Sequence, residues 1–517
     1  MLYTAADILT QHRGGPGAST VALVDGGRPL TYGDLLCRSQ DYASRLRRRG
    51  IRRGDRVAIF LRRSAEAAMA LFATFLAGGV GVLINERLRT KQVQYIVEHS
   101  EAALVVTDAW QLAQLSSPPV PAQSILLLDE NEPGAAVPAE QIIGADLALI
   151  IYTSGSTGLP KGVMLSHANL LAGAQIVSDY LGLTAADRII SLLPFSFDYG
   201  LNQLLSALFV GATLVIQRSL FPPDVCRTLQ QERITGMAGV PTLWLQLTQK
   251  HSPFTRLSLP HLRYITNSGG RLPEDLVRLI RQSHPHVQIY LMYGLTEAFR
   301  STYLPPDQVD TRPSSIGKAI PNVEILVTNE AGQACAPGEV GELVHRGPTV
   351  ALGYWRNPES TARVFRPHPL EQRRNGLSET VVFSGDLVKT DDEGYLYFVG
   401  RKDKLIKSRG FRVSPEEIES CIVSSQLVAN VVVFAIPRDD VDCELVAAII
   451  PKEPPAFSED RLRRFCQLEL PDHMQPHVFW CMEAFPLTAS GKPDRPLIEQ
   501  LYASRLLDEA RHASARQ

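Results

Sequence analysis

Short apolar runs rich in branched residues alternate with longer helix-patterned stretches along most of the chain. The runs are "DRVAIFL" (55–61), "AALVVTD" (102–108), "ALIIYT" (148–153), "RIISLLPF" (188–195) and "ATLVIQ" (212–217), with "YGDLLCRSQDYASRLRRRG" and "NQLLSALFVG" among the stretches between them. Near-continuous apolar strands separated by helices point to parallel sheets covered on both faces, because each crossover lays a helix over the sheet. An α/β architecture is therefore expected. At 517 residues the chain exceeds what a single core supports, so two or more domains are expected. A hydrophobic share of 45% against 21% charged, with mean hydropathy of -0.03, agrees with large globular cores.

A net charge of -2 and a pI near 6.7 supply no electrostatic reason to expect nucleic acid as a partner. The seven cysteines include no C-x-x-C pair, which argues against a disulfide framework or a zinc site and for reduced, mostly buried thiols of a cytoplasmic protein. "MLYTAADILTQHRGG" lacks the apolar core of a secretory signal. "AAMALFATFLAGGVGVLI" (67–84) approaches the length of a bilayer span. Gly78, Gly79 and Gly81 interrupt it and Arg62, Arg63 and Glu66 flank it, so a buried helix turning into a buried strand is expected instead.

Beyond Leu343 the pattern changes to short strands and turns, then to the charged run "RKDKLIKSRG" (401–410). In "SPEEIESCIV", Ser414 is placed to cap a helix that opens with Pro415 and carries Glu417 at its third position. The expected division is an N-terminal domain over 1–400, a hinge at 401–410 and a small C-terminal domain over 411–517.

"TSGSTGLPKG" leaves the end of the strand "ALIIYT", the edge at which α/β proteins place ligands. Gly155, Gly158 and Gly162 permit close backbone approach; Thr153, Ser154, Ser156 and Thr157 add hydroxyls, and Lys161 a positive charge. With exposed amide groups these suit polyphosphate oxygens. A Walker A loop is excluded, because Pro160 stands where that pattern needs its second glycine, and Lys161 precedes Gly162. Taken alone, the loop also reads as a flexible surface turn.

It has company. "YGLTEA" (293–298), "SGDL" (384–387), "GRKDKLIKSRGFRVSPEEIE" (400–419) and "LTASGKPDR" (487–495) follow in order, together with "GELVHRGPTVALGYW". The set resembles the adenylate-forming superfamily of acyl-CoA synthetases, stand-alone and peptide-synthetase adenylation enzymes and luciferase, over nearly the full chain. The resemblance implies a large N-terminal domain of sheets sandwiched by helices with a β-subdomain, and a small mobile α+β C-terminal domain. It also implies the chemistry: a carboxylate attacks the α-phosphate of ATP, pyrophosphate leaves, and a thiol then displaces AMP.

By the same resemblance, Thr153, Ser154, Gly155, Ser156, Thr157, Gly158 and Lys161 wrap the β- and γ-phosphates, Thr296 bonds the adenylate phosphate and Glu297 holds Mg²⁺. Gly269, Gly270 and Tyr293 line the adenine slot, Gly294 also binds the nucleotide, and Asp386 takes the ribose hydroxyls with Arg401 assisting. Lys492 neutralises charge between the carboxylate and the α-phosphate. Asp403 marks the hinge, and Gly410 lies on the strand presented to the thiol.

The implied pocket walls are Asp198, Tyr199, Asn202, Ala238, Gly239, Ser268, Met292, Phe299 and Arg300. Asp198 reads either as the partner of a substrate ammonium or as a helix N-cap before "YGLNQLLSAL". Arg300 disfavours a purely apolar tunnel, so a small or medium acid, including an amino acid, is expected ahead of a fatty acid. No L-G-G-x-S carrier site follows Arg495, so the thiol is expected in trans, from coenzyme A or from the phosphopantetheine of a separate carrier protein. A luciferase-like oxygenase and an inactive nucleotide-binding protein are the alternatives of another class; the retained Lys492 and Glu297 weigh against the second.

Overall fold

The computed structural model describes every residue except 1, 15, 129–140, 154–159, 371–378, 403–405, 409–410, 438–442, 471–473, 489–490 and 515–517. The chain divides into two compact units: 1–326 with 344–384 and 394–396, and 327–343 with 385–393 and 397–517.

The first unit carries two large sheets. One has nine strands, whose interior Val21–Asp25, Thr213–Ile216, Arg188–Ser191, Gly236–Gly239, Tyr264–Asn267 and Gln288–Tyr293 pair in parallel. The other has seven, with Leu147–Thr153, Val80–Leu83, Arg56–Phe60, Leu104–Thr107 and Ile125–Leu127 in parallel. Antiparallel strands are confined to the edges of both, so the alternation of strand and helix runs is realised as read.

The segment that imitates a membrane span is the helix Ala65–Leu76 followed by the strand Val80–Leu83. Ser64 caps the helix through the Ala67 amide, and Gly78 turns it out at φ 83°. The residues Leu71, Phe72, Ala73 and Phe75 have no exposure at all, which accounts for a run apolar on every side. Among the described residues no helix is long and apolar enough to cross a membrane.

In the second unit, Val428–Pro437, Cys443–Pro451 and Val478–Cys481 form a three-stranded sheet. Its side chains alternate between two cores: Val431 and Val433 pack with Ile418, Ile422 and Leu462, whereas Val432 and Phe434 pack with Ile498 and Tyr502. Helices therefore cover both faces. Ser414 caps the helix Pro415–Ser424 through the Glu417 amide, as its sequence indicates. Part of the charged run, Ile406–Ser408, pairs with Phe411–Val413 as a short hairpin.

Of the six described thiols only Cys226 and Cys466 are buried, so the expectation of mostly buried cysteines does not hold; Cys37 and Cys481 are exposed.

Candidate active site

The strand Leu147–Thr153 and its antiparallel neighbour Lys161–Ser166 set Thr153 opposite Lys161 and Tyr152 opposite Gly162. Ser154, Gly155, Ser156, Thr157 and Gly158 lie outside the described residues. The backbone that follows is held by two hydrogen bonds. Tyr95 donates to the Pro160 carbonyl at 3.2 Å, and the Trp355 amide donates to the Gly162 carbonyl at 2.7 Å. Gly162 cannot carry a side chain here, since a Cβ would stand 2.7 Å from Ile150 and 3.2 Å from the Tyr152 ring.

Thr296 and Glu297 sit in the single 3-10 turn Thr296–Ala298, just beyond the strand Gln288–Tyr293. The turn ends at Phe299 with φ 55°, a left-handed conformation that costs a non-glycine residue energy and that its surroundings must hold in place. Gly173 makes the room: a Cβ there would lie 2.4 Å from the Phe299 ring. Glu297 is half-buried and accepts a 2.6 Å hydrogen bond from the Tyr354 hydroxyl, while the Lys161 ammonium stands 5.5 Å from the centre of the Tyr354 ring. Tyr354 belongs to the edge strand of the seven-stranded sheet and Glu297 follows a strand of the other. The loop lysine and the turn carboxylate are thus brought together at the ends of two different sheets, through a tyrosine.

The Tyr354 segment is itself braced. Asn169 donates to the carbonyls of Pro348 and Val350 at 2.7 and 3.0 Å, and the Ala351 amide donates to the Glu297 carbonyl at 2.9 Å.

Gly239, Ser268 and Tyr293 stand at or just past the C-terminal ends of three neighbouring parallel strands, the edge where open α/β sheets bind ligands. Gly269 follows with φ 78°, and the Asn267 amide group holds the Gly270 carbonyl at 2.9 Å. Gly294 packs against Arg300, where a Cβ would meet the Arg300 Cα at 3.4 Å.

Beneath this edge is a small cavity lined by Tyr199, Asn202, Ala238 and Met292 of the expected walls, by Gln203 and Thr266, and by the apolar Val177, Leu181 and Ile189. Asp198 and Arg300 lie beside it as an ion pair, 3.2 Å apart, with only 6% and 3% of their side chains exposed. The Arg300 guanidinium also covers the Tyr199 ring at 4.9 Å. Asp198 is the first residue of the helix Asp198–Val210, its cap position is Phe197, and its side chain makes no capping bond. The N-cap reading of Asp198 is therefore not realised.

In the second unit Arg401 donates to Asp386 at 2.9 Å, and the neighbouring pair Lys402 and Glu342 meets at 3.0 Å. Lys492 is exposed and bonded to Thr488, whose amide donates to the Lys492 carbonyl at 2.7 Å and whose hydroxyl accepts from the Lys492 amide at 3.2 Å. Asp403 and Gly410 lie outside the described residues.

Residues 11–355 match the AMP-binding enzyme family, and residues 417–492 match the AMP-binding enzyme C-terminal domain. The chain belongs to the AMP-binding enzyme family. It is thereby a member of the adenylate-forming superfamily, whose AMP-forming ligases activate acids as acyl-AMP. One of the linear gramicidin synthase proteins of Brevibacillus parabrevis is 34% identical over 92% of this chain, which spans only 6% of that relative's length. Delta-poly-L-ornithine synthetase of Acinetobacter baumannii is 31% identical over 95% of the chain, spanning 36% of that protein. Two solved structures superpose over almost their whole length. The o-succinylbenzoate CoA synthetase of Bacillus subtilis in complex with its acyl-adenylate is 26% identical with a TM-score of 0.83, covering 96% of this chain and 98% of that one. The anthranilate CoA ligase AuaEII with anthranoyl-AMP is 25% identical with a TM-score of 0.85, covering 97% and 98%.

Within this family member, two features of the site escape sequence reading. Tyr354 was visible only as part of "GPTVALGYW", and the partnership of Arg300 with Asp198 left no local signal. Among the described residues no group of three or more His, Cys, Asp or Glu could hold a metal by itself. A lone half-buried carboxylate such as Glu297 nonetheless suits Mg²⁺, which keeps waters and takes most of its other oxygens from bound phosphates.

Proposed function

We propose that the chain joins a small or medium carboxylic acid to AMP with release of pyrophosphate, and then passes the acyl group to a thiol, that of coenzyme A or of a carrier-protein phosphopantetheine. The observation that carries this reading is the meeting of Lys161, Tyr354 and Glu297. It puts a cation and an anion about one tyrosine where ends of two sheets meet, as a polyphosphate with its counter-ion requires. Glu297 would hold Mg²⁺, which when bound would supply charge neutralisation on the phosphates.

In this reading Thr153 through Gly158 and Lys161 bind the β- and γ-phosphates, and Thr296 orients the α-phosphate for in-line attack by the acid. Gly269, Gly270 and Tyr293 hold adenine, and Gly294 also binds the nucleotide; Asp386 and Arg401 hold ribose. Lys492 offsets the charge that gathers between carboxylate and phosphate in the transition state, a role that needs no proton transfer. A hinge at Asp403 within 401–410 would let the segment beyond it turn between half-reactions and bring Gly410 to the thiol. The small size of the cavity, with Asn202, Gln203 and Thr266 among its apolar lining, supports a small or medium acid over a fatty chain. A cytoplasmic location accords with the availability of ATP and free thiols there.

The test is acid-dependent exchange of pyrophosphate into ATP, with acyl-AMP identified by mass spectrometry. Lys492→Ala is expected to lower adenylation by about 10²-fold or more while sparing thioester formation from supplied acyl-AMP. Equal loss of both half-reactions would contradict the role given to Lys492.

A further inference from the structure

The ion pair beside the cavity bears on which acid enters it, given the adenylation reading above. Asp198 opens the helix Asp198–Val210, and Asn202, one turn along, lines the cavity on the same face. A carboxylate in that place, buried to 4% exposure, needs a cationic partner. A substrate ammonium could be that partner, but the chain supplies its own. Arg300 bonds the Asp198 carboxylate at 3.2 Å and the Asp198 carbonyl at 3.3 Å, and packs on Tyr199 and Phe299 at 4.9 and 5.7 Å. An ammonium would have to displace a guanidinium held in this way and leave that guanidinium buried and unpaired, at a steep cost. A second substrate carboxylate meets the converse obstacle, because Arg300 is already neutralised by Asp198.

The cavity wall has polar capacity of a different kind. The Asn202 Nδ2 donor and the Gln203 Oε1 acceptor are buried and without partners. Asn202 Oδ1 faces the Ser206 hydroxyl at 3.2 Å, which also faces the Ala174 carbonyl at 3.3 Å, and Gln203 Nε2 donates to the Ile190 carbonyl at 3.4 Å. One unmatched donor and one unmatched acceptor on the same wall fit a group that both accepts and donates. A hydroxyl does this without charge.

We propose that Arg300 occupies, on Asp198, the place a substrate ammonium would take, and that this site therefore selects short uncharged acids bearing a hydroxyl rather than amino acids.

Pyrophosphate exchange is measured with matched sets of acids on short, branched and aryl skeletons, each supplied unsubstituted, hydroxylated and aminated. In the preferred skeleton the hydroxylated acid is expected to exceed the unsubstituted one, and the aminated acid to fall below both by at least about tenfold in kcat/KM. Arg300→Leu, which frees Asp198, is expected to raise the aminated acid relative to the other two. The double variant Asp198→Asn with Arg300→Leu removes both charges, and is expected to keep the wild-type order even if the single variant does not fold. A wild-type enzyme that handles the aminated acid as well as its partners overturns the inference alone. Absence of acyl-AMP from every acid tested overturns the adenylation reading and this inference with it.

Discussion

Replacing Tyr354 by phenylalanine removes one oxygen and keeps the ring. That oxygen donates to Glu297 at 2.6 Å, so the substitution leaves a carboxylate without a charge-assisted partner. Hydrogen bonds to charged groups contribute about 1.5–3 kcal/mol. Glu297 is half-buried, and water replaces part of the loss, which brings the expected effect to about 1–2 kcal/mol. Since about 1.4 kcal/mol corresponds to tenfold, adenylation should slow by about 5- to 30-fold. The phenyl ring that remains still offers its face to Lys161 and still packs edge-on against Phe365, whose ring centre is 5.6 Å away, so the loss of stability should not exceed the same amount, about 1–2 kcal/mol, a shift of about 2–4 °C or less in a chain this long. The assay is pyrophosphate exchange over a range of ATP and Mg²⁺ concentrations, paired with thermal melting. The expected result is a higher demand for Mg²⁺–ATP with a melting temperature lowered by no more than a few degrees. If exchange matches the wild type at every Mg²⁺ concentration while the melting temperature holds, the tyrosine does not position the carboxylate and the reasoning from the site geometry is wrong.

Gly173→Ala places a methyl group 2.4 Å from the Phe299 ring, and should destabilise the protein by about 1–3 kcal/mol and depress adenylation by disturbing the Thr296–Ala298 turn; denaturant unfolding and exchange assays check the two effects. Gly317 has φ 84°, and a Cβ there would lie 1.9 Å from the Tyr303 carbonyl oxygen, so Gly317→Ala should lower soluble yield and the unfolding midpoint more than Gly332→Ala, which meets nothing within 4 Å. His167 and His345 are held neutral by burial, with folded-state values pushed down to about 4 and about 3 from an ordinary 6.5. Below pH 6.5 the unfolded chain takes up protons that the folded chain refuses, so this stability is complete above that pH and is lost as pH falls toward the folded values. Each imidazole should remove about 1.5–2 kcal/mol between about pH 6.5 and about pH 5; urea unfolding across that range measures the slope, and His345→Gln should flatten it.

Much of the framework was legible because it is local. The branched apolar runs separated by helical patterns appear as parallel strands, since side-chain periodicity depends only on near neighbours. The run at 67–84 was legible for the same reason: its glycines break a span, and they close a buried helix in the structure. Ser414 caps its helix because capping is decided within a few residues. The phosphate-loop and turn motifs were equally visible as short strings, though not their meeting point.

What the sequence by itself determined, then, is the α/β class, the order of the elements and the identity of the charged and hydroxyl-bearing motifs. Only the tertiary structure decided how those groups are paired. Tyr354 reaches Glu297 across 57 positions and Arg300 reaches Asp198 across 102, separations over which no local preference acts. Strand order and crossover set which side chains meet, and burial then makes the pairing costly to undo. Asp198 shows the difference most plainly: at the head of an apolar helix it reads as a cap or an amine receptor, and the fold makes it instead the buried partner of an arginine.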